Sequence, residues 1–299
     1  MKSVHILLCR CVLILSIFFL LPAIAFASTI YMETAPGPVS VGDTIVVRVY
    51  LDTDTSPANA LDGTVDFSFS SSTITFKDID LAGSLLTIWP HPPALSADGD
   101  SVSFTGGLPG GFTGTHLLLF GIILTAKAPG AASFVPTNTT LYLNDGKGTA
   151  TPVTPKTFAL TIMPAEAGVV PRNEWQTIVS GDTTPPEAFT IYEGQDPSVY
   201  GGKKYLYFQT TDAQSGIDHY EVTEGTAAPV RTGSTYVLQD QINPVVVTVS
   251  AYDKAGNVRT STYRTPSSNG TEMQIALTSF VLLAGICIIW LVLRRRHRI

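Results

Sequence analysis

The run GTVDFSFS, residues 63–70, alternates strictly: Val65, Phe67 and Phe69 fall on one side of an extended chain, and Thr64, Asp66 and Ser68 on the other. Successive side chains of a strand point to opposite faces, so this spacing predicts a strand with one face in a core and the other in water. Six further stretches carry the same kind of signal before residue 163: GDTIVVRVYLD (42–52), TITFKDI (73–79), DSVSFTGG (100–107), GTHLLLFGIILTAKA (114–128), TTLYLNDG (139–146) and KTFALTI (156–162). Each is short, rich in β-branched and aromatic residues, and bounded by Gly, Pro, Asn or Asp. No stretch of helical length shows a 3.6-residue period between the two ends of the chain, so an all-β sandwich over residues 28–163 is expected.

Residues 163–182, MPAEAGVVPRNEWQTIVSGD, read as a linker by their Pro, Gly and polar content, with boundaries at 164–183. A second set of short strand signals follows over 184–265. There, DAQSG (212–216) and DKAGN (253–257) read as turns, because an aspartate bonds to the backbone two residues on and Gly supplies positive φ. Residues 266–273 read as a polar stalk.

The two ends of the chain have a different composition. Lys2 and Arg10, the apolar run CVLILSIFFLL (11–21), Pro22 and Ala25-Phe26-Ala27 predict a signal peptide over 1–27, cleaved after Ala27. Residues 274–293, QIALTSFVLLAGICIIWLVL, hold no charge and are long enough to cross a bilayer as one helix; Arg294, Arg295, Arg296 and Arg298 follow at once. The expected topology is a single-pass membrane protein of the cell surface, with a basic cytoplasmic tail over 294–299 and everything before the span outside.

All 24 Asp and Glu lie between the two apolar segments, where 12 Lys and Arg remain, for a net charge of −12. Such an acidic body lacks the basic patch that nucleic acid or anionic lipid needs. Its three cysteines, Cys9, Cys11 and Cys287, all fall in the apolar ends, so the exported part has no disulfide, zinc–thiolate site or cysteine nucleophile.

The order of segments over residues 31–162 resembles a cohesin domain. The resemblance is carried by the opening strand 42–52, by LDGTVDFSFSSSTITFKDIDL (61–81), by DGDSVSFTGGLPGGFTGTHLLLFGIILTAKAPG (98–130) and by the closing hairpin TTLYLNDGKGTA (139–150). It implies a nine-stranded jelly-roll β-sandwich whose flat sheet face docks a dockerin-like protein module. The family's Tyr-Asp-Pro after the second strand pair is replaced by Ser70-Ser71-Ser72, so its partner-binding residues do not transfer. The second unit resembles bacterial immunoglobulin-like or fibronectin-like repeats through TTPPEAF (183–189), TDAQSGIDHYEV (211–222) and SAYDKAGNVRT (250–260). It is read as an Ig-like spacer.

Chemistry is sparse. No Gly-x-Ser-x-Gly elbow is present. His91 is read in a rigid Pro-rich loop, His116 at the start of a core strand and His219 within a strand, so the expectation is a protein that is not an enzyme. The acidic pairs Asp52/Asp54, Asp78/Asp80 and Asp98/Asp100 have the spacing of strand ends and turns rather than of a glycosidase dyad. Residues 52–63 open like an EF-hand, but Pro57 stands where the loop needs Gly and no Glu closes it. A loosely bound Ca2+ at Asp98/Asp100 or Asn144/Asp145 is the remaining cofactor reading. GGLPGGFTG (106–114) is read as a flexible loop. The candidate binding residues are the outward row Thr64, Asp66, Ser68, Ser101, Ser103 and Thr105 for a protein, with Trp89 and Tyr142 as stacking platforms if the ligand is a polysaccharide. A purely structural role in an envelope layer is the third reading.

Overall fold

The computed structural model describes residues 28–54, 56–68 and 72–266. The segments expected to be a leader (1–27), a membrane span (274–293) and a cytoplasmic tail (294–299), most of the expected stalk, and Phe69 with its two following serines lie outside them. Among the described residues no helix is long and apolar enough to cross a membrane.

The first unit is a sandwich of two sheets. In chain order its strands are β1 (Thr29–Glu33), β2 (Val39–Ser40), β3 (Thr44–Asp52), β4 (Ala58–Ser68), β5 (Ile74–Asp80), β6 (Ile88–Leu95), β7 (Ser101–Phe112), β8 (Leu117–Ala126), β9 (Gly130–Leu143), β10 (Ala150–Pro152), β11 (Thr154–Pro155) and β12 (Phe158–Met163). One sheet runs β11-β1-β3-β8-β5; the other runs β2-β12-β9-β4-β7-β6, with β10 on β9. Nine of these strands have five or more residues, and β2, β10 and β11 are pieces of two or three. Between the sheets, Val65, Val102, Leu119, Phe120, Leu124, Phe134 and Leu141 are among the fully buried side chains. Phe104 meets Phe120 edge to face with ring centroids 4.9 Å apart, and Phe67 meets Phe134 in the same manner at 5.5 Å.

Three expectations from sequence are corrected. The Pro-rich segment around His91 is strand β6, not a loop; its prolines are tolerated because β6 pairs only with β7, through a register broken on both sides of His91. The Gly-rich stretch 106–112 is the end of β7, paired with β4 at Ala60↔Gly107 and Ala58↔Phe112 across a bulge, and not a flexible loop. His116 does not open β8. It precedes the strand at φ 55°, stacked on Tyr50 with centroids 4.0 Å apart.

The linker is also more ordered than its composition predicts. Residues Glu174–Gly181 form helix α1, capped by the Asn173 side chain, which accepts from the Gln176 amide. Eight residues are too few to show a helical period, although Trp175, Ile178 and Val179 have the spacing of one helix side. Glu174 docks α1 on β3, accepting from the Val46 amide at 3.1 Å and from Arg48 at 3.2 Å.

The second unit pairs β13 (Ile191–Gln195), β14 (Lys204–Phe208) and β17 (Thr235–Val237) in one sheet and β16 (Val230–Thr232), β15 (Ile217–Glu224), β18 (Val246–Asp253) and β19 (Val258–Arg264) in another. Leu206, Phe208, Val222, Val247 and Val249 fill the space between them.

The units meet along the end of β5. Lys254 donates to Asp78 Oδ2 at 2.8 Å and to the Ile79 carbonyl at 3.0 Å, and lies 5.0 Å from the Trp175 ring centre. The Gly83 amide donates to the Asp212 carbonyl, and Gln209 Nε2 donates to the Thr87 carbonyl. Gly216, at φ 78°, lets the backbones approach; a Cβ there would lie 3.4 Å from the Ala82 nitrogen. Asp80 is buried in this contact, and burial pushes its carboxyl up to about 6, against the Ala82 amide and Lys254, which pull it down.

Two outcomes follow from this packing. Phe134→Ala removes a fully buried ring and is expected to cost about 3–5 kcal/mol, read as a lowered urea midpoint. The raised pKa of Asp80 means that its carboxyl favours folding when protonated and disfavours it when ionised. Relative to Asp80→Asn, the natural protein should therefore lose up to about 3 kcal/mol between pH 4 and pH 7. Urea unfolding of both at several pH values measures this, and a difference that does not change with pH would refute it.

Candidate functional site

Strand β4 is central to the larger sheet, between β7 and β9, and its alternation builds the outer face. Across β4 and β7, Thr64 faces Ser103, Asp66 faces Ser101 and Asp62 faces Thr105; across β4 and β9, Thr64 faces Thr137 and Ser68 faces Ser133. The row expected from sequence, Thr64, Asp66, Ser68, Ser101, Ser103 and Thr105, therefore stands together on one side of neighbouring strands. The structure adds Asp62, His91, Thr137 and Asn138. Asp62 was legible by the same period of two. His91 is masked in the sequence by the prolines around it, and Asn138 reaches the face only through a bulge in β9, where it sits at φ 50°.

A shallow depression of about 290 Å³ opens on this face, lined by Asp62, Thr64, His91, Ser103, Thr105 and Asn138. Asp66 Oδ2 accepts from Thr137 Oγ1 at 2.8 Å, and Asp62 Oδ2 from the Tyr142 hydroxyl at 3.1 Å. That hydrogen bond to the Asp62 carboxylate, with its charge, holds the Tyr142 hydroxyl above the usual phenol range. The other oxygen, Asp62 Oδ1, is buried and has no hydrogen-bond partner. A buried acceptor left unpaired is costly. Strands β4, β6, β7, β9 and β12 contain neither Lys nor Arg, so the face is acidic as well as polar.

Trp89 and Tyr142 occupy different settings. Trp89 packs against the core and covers Gly106, where a Cβ would lie 2.7 Å from its ring. It also lines a cavity of about 280 Å³ at the junction of the units, with Leu86, Gln209 and Tyr220. Tyr142 is tied to Asp62 on the polar face.

The histidines have structural neighbours. His219 bonds to Asp218 at 2.6 Å and stacks on Tyr252, and His116 lies 3.2 Å from the Tyr31 hydroxyl. Asp52 accepts from Tyr31 and from the His116 amide. Burial, followed by the Asp52 charge, raises the Tyr31 hydroxyl to about 12. Asp100 accepts from Ser96 and Ser101, and Asp145 from the Lys147 amide and Thr149, so both close their own turns.

Among the described residues, one group of carboxylates is placed to hold a metal ion: Asp182, Asp212 and Asp253, all buried, with an oxygen from each within 4.8 Å of the others. Asp182 Oδ2 accepts from the Ser215 amide and hydroxyl, Asp212 Oδ1 from the amides of residues 214–216, and Asp253 from the Asn257 amide and side chain. The sequence shows two of these aspartates as turn residues. Nothing in it links them to Asp182, which arrives from the end of α1.

No protein-family model matches the chain, and no curated protein matches it. Solved structures similar to it are cohesin modules. One is the cohesin module of a family 33 glycoside hydrolase from Clostridium perfringens ATCC13124, with 10% identity over 46% of this chain and 98% of that one and a TM-score of 0.39. Another is a non-cellulosomal cohesin from the hyperthermophilic archaeon Archaeoglobus fulgidus, with 14% identity over 45% and 91% and a TM-score of 0.37. A third is the seventh ScaB type I cohesin from Pseudobacteroides cellulosolvens, with 14% identity over 48% and 97% and a TM-score of 0.39.

Proposed function

We propose that this is a non-enzymatic docking protein, held at the cell surface by its C-terminal apolar span, whose first unit binds a partner protein outside the cell through the outer face of its larger sheet. The observation that carries the reading is the unpaired buried oxygen of Asp62 within an acidic, hydroxyl-rich depression on that face. Thr64, Asp66, Ser68, Ser101, Ser103 and Thr105 form the surrounding surface. A partner that supplies Lys, Arg or hydroxyl donors satisfies Asp62 and meets Asp66, and electrostatic complementarity of this kind selects a partner and its orientation. The resemblance of residues 31–162 to a cohesin domain makes a dockerin-like module the partner of choice. Residues 274–293 and the arginines after them supply the anchor in this reading, and the acidic net charge of the rest suits a body in solvent.

Full-length chain purified in detergent, used as bait against extracellular protein of its own source, is expected to capture a protein with a dockerin-like module. Thr64→Lys and Ser103→Arg should each lower that capture at least tenfold with an unchanged melting temperature, since both add bulk and positive charge to an outward position. Recovery of glycans alone, or capture indifferent to both substitutions, would reverse the reading. Running the capture with calcium and with a chelator tests the loosely bound Ca2+ proposed from the sequence. Protease added to intact cells should degrade both β units; protection until lysis would contradict the surface location.

A further inference from the structure

We infer that the second unit is itself a binding module, and that the outward face of its three-stranded sheet takes an uncharged polysaccharide. Alternation along the strands turns Ile191, Leu206, Phe208 and Tyr236 inward, where they are buried, and Tyr192, Tyr205, Tyr207 and Thr235 outward. Tyr192 and Tyr207 face each other across β13 and β14, stacked at 5.1 Å and 17°. Tyr205 follows at 6.5 Å from Tyr207, and Tyr200 lies 5.2 Å beyond Tyr205. The result is one row of four rings, of which Tyr192, Tyr200 and Tyr207 are 51%, 46% and 45% exposed. Single exposed apolar residues are ordinary, but a contiguous exposed row of aromatics marks a binding surface.

Two backbone features serve the row. Gly194 lies under the Tyr205 ring, where a Cβ would come within 2.6 Å of ring atoms, so this position leaves room for the ring to lie flat on the sheet. Tyr200 adopts φ 51°, a left-handed conformation rare for an aromatic residue, and its hydroxyl is 3.2 Å from Thr235 Oγ1. Strain of this sort at a solvent-facing side chain is found where function fixes the position of that side chain.

The chemistry of the surroundings identifies the occupant. Beside Tyr192 and Tyr207 opens a hollow of about 400 Å³ lined by Thr190, Gln209, Ser234 and Thr235. Neither this lining nor the outward positions of the three strands include a charged side chain. An anionic polymer would find no cation here, and a cationic one no carboxylate. A protein partner typically sinks one or two aromatic anchors into a central pocket. This surface instead offers four neighbouring rings, a stacked pair (Tyr192 and Tyr207) and an edge-to-face pair (Tyr200 and Tyr205), against which the apolar C–H faces of sugar rings can lie, with amide and hydroxyl groups at one end for sugar hydroxyls. Cross-strand tyrosines also stabilise a sheet, but that role alone requires neither the strained Tyr200 nor the uncharged hollow. This binding is independent of docking by the first unit.

The test is affinity electrophoresis of the full-length chain in nondenaturing detergent, through gels containing hydroxyethylcellulose, xylan or galactomannan, with polygalacturonate as the anionic control. Retardation in at least one neutral polymer is expected, with none in polygalacturonate. Tyr192→Ala and Tyr207→Ala should each weaken it tenfold or more, Tyr207→Phe should keep it, and Thr64→Lys in the first unit should leave it unchanged. Tyr200→Ala lies in a turn outside the strands, so it reports on the row even if a strand variant fails to fold, and it should weaken binding severalfold. No retardation in any neutral gel, retardation only in polygalacturonate, or undiminished retardation of Tyr200→Ala and the folded strand variants would overturn the inference.

Discussion

The register of β4 between β7 and β9 is the constraint on which the first unit depends. Leu61 and Val65 enter the core only when Asp62, Thr64 and Asp66 face out, because side chains alternate with a period of two. A slip of one residue would drive two carboxylates into the space occupied by Phe104, Phe120 and Phe134. Burying ionised groups without partners costs far more than the apolar contacts return. Core and polar outer face are therefore one solution seen from two sides.

A second constraint sets the relation of the two units. Gly and Pro in a linker usually mean freedom, but here the chain is held at both ends. Asp43 accepts from the Arg172 amide and Glu174 pairs with Arg48 on the first unit, while Asp182 bonds to Ser215 and its carbonyl accepts from Asn257 on the second. Between these, Lys254 reaches across to Asp78. The burial of Asp80 under this junction explains why a carboxylate at a strand end, with nothing in the sequence to set it apart, is a weaker acid than an ordinary aspartate.

The legibility of the sequence divides along physical lines. Alternating strands with one wet face, such as β3, β4 and β18, can be read directly, because burial imposes their pattern. Strand β6 was not, since three prolines mask a segment that an edge position tolerates. The helix α1 was not, since two turns are too short for a period to emerge. The polar row on β4 and β7 could be read as far as the period of two extends. Tyr205 and Tyr207 were passed over because Leu206 and Phe208 interleave with them, and a strand apolar on both sides looks like core. Asp182 joins Asp212 and Asp253 only through tertiary contact, which no local pattern encodes.

Gln209 ties the second unit to the first. Its amide donates to the Thr87 carbonyl of the first unit, and the same side chain lines both the junction cavity and the hollow beside Tyr207. Ser234 lines both spaces as well. The hollow beside Tyr192 and Tyr207 therefore adjoins the junction cavity that Trp89 also lines. Linker segments tied to both units restrict their relative movement, so the polar face of the first sheet and the tyrosines of the second unit stand in a fixed relation.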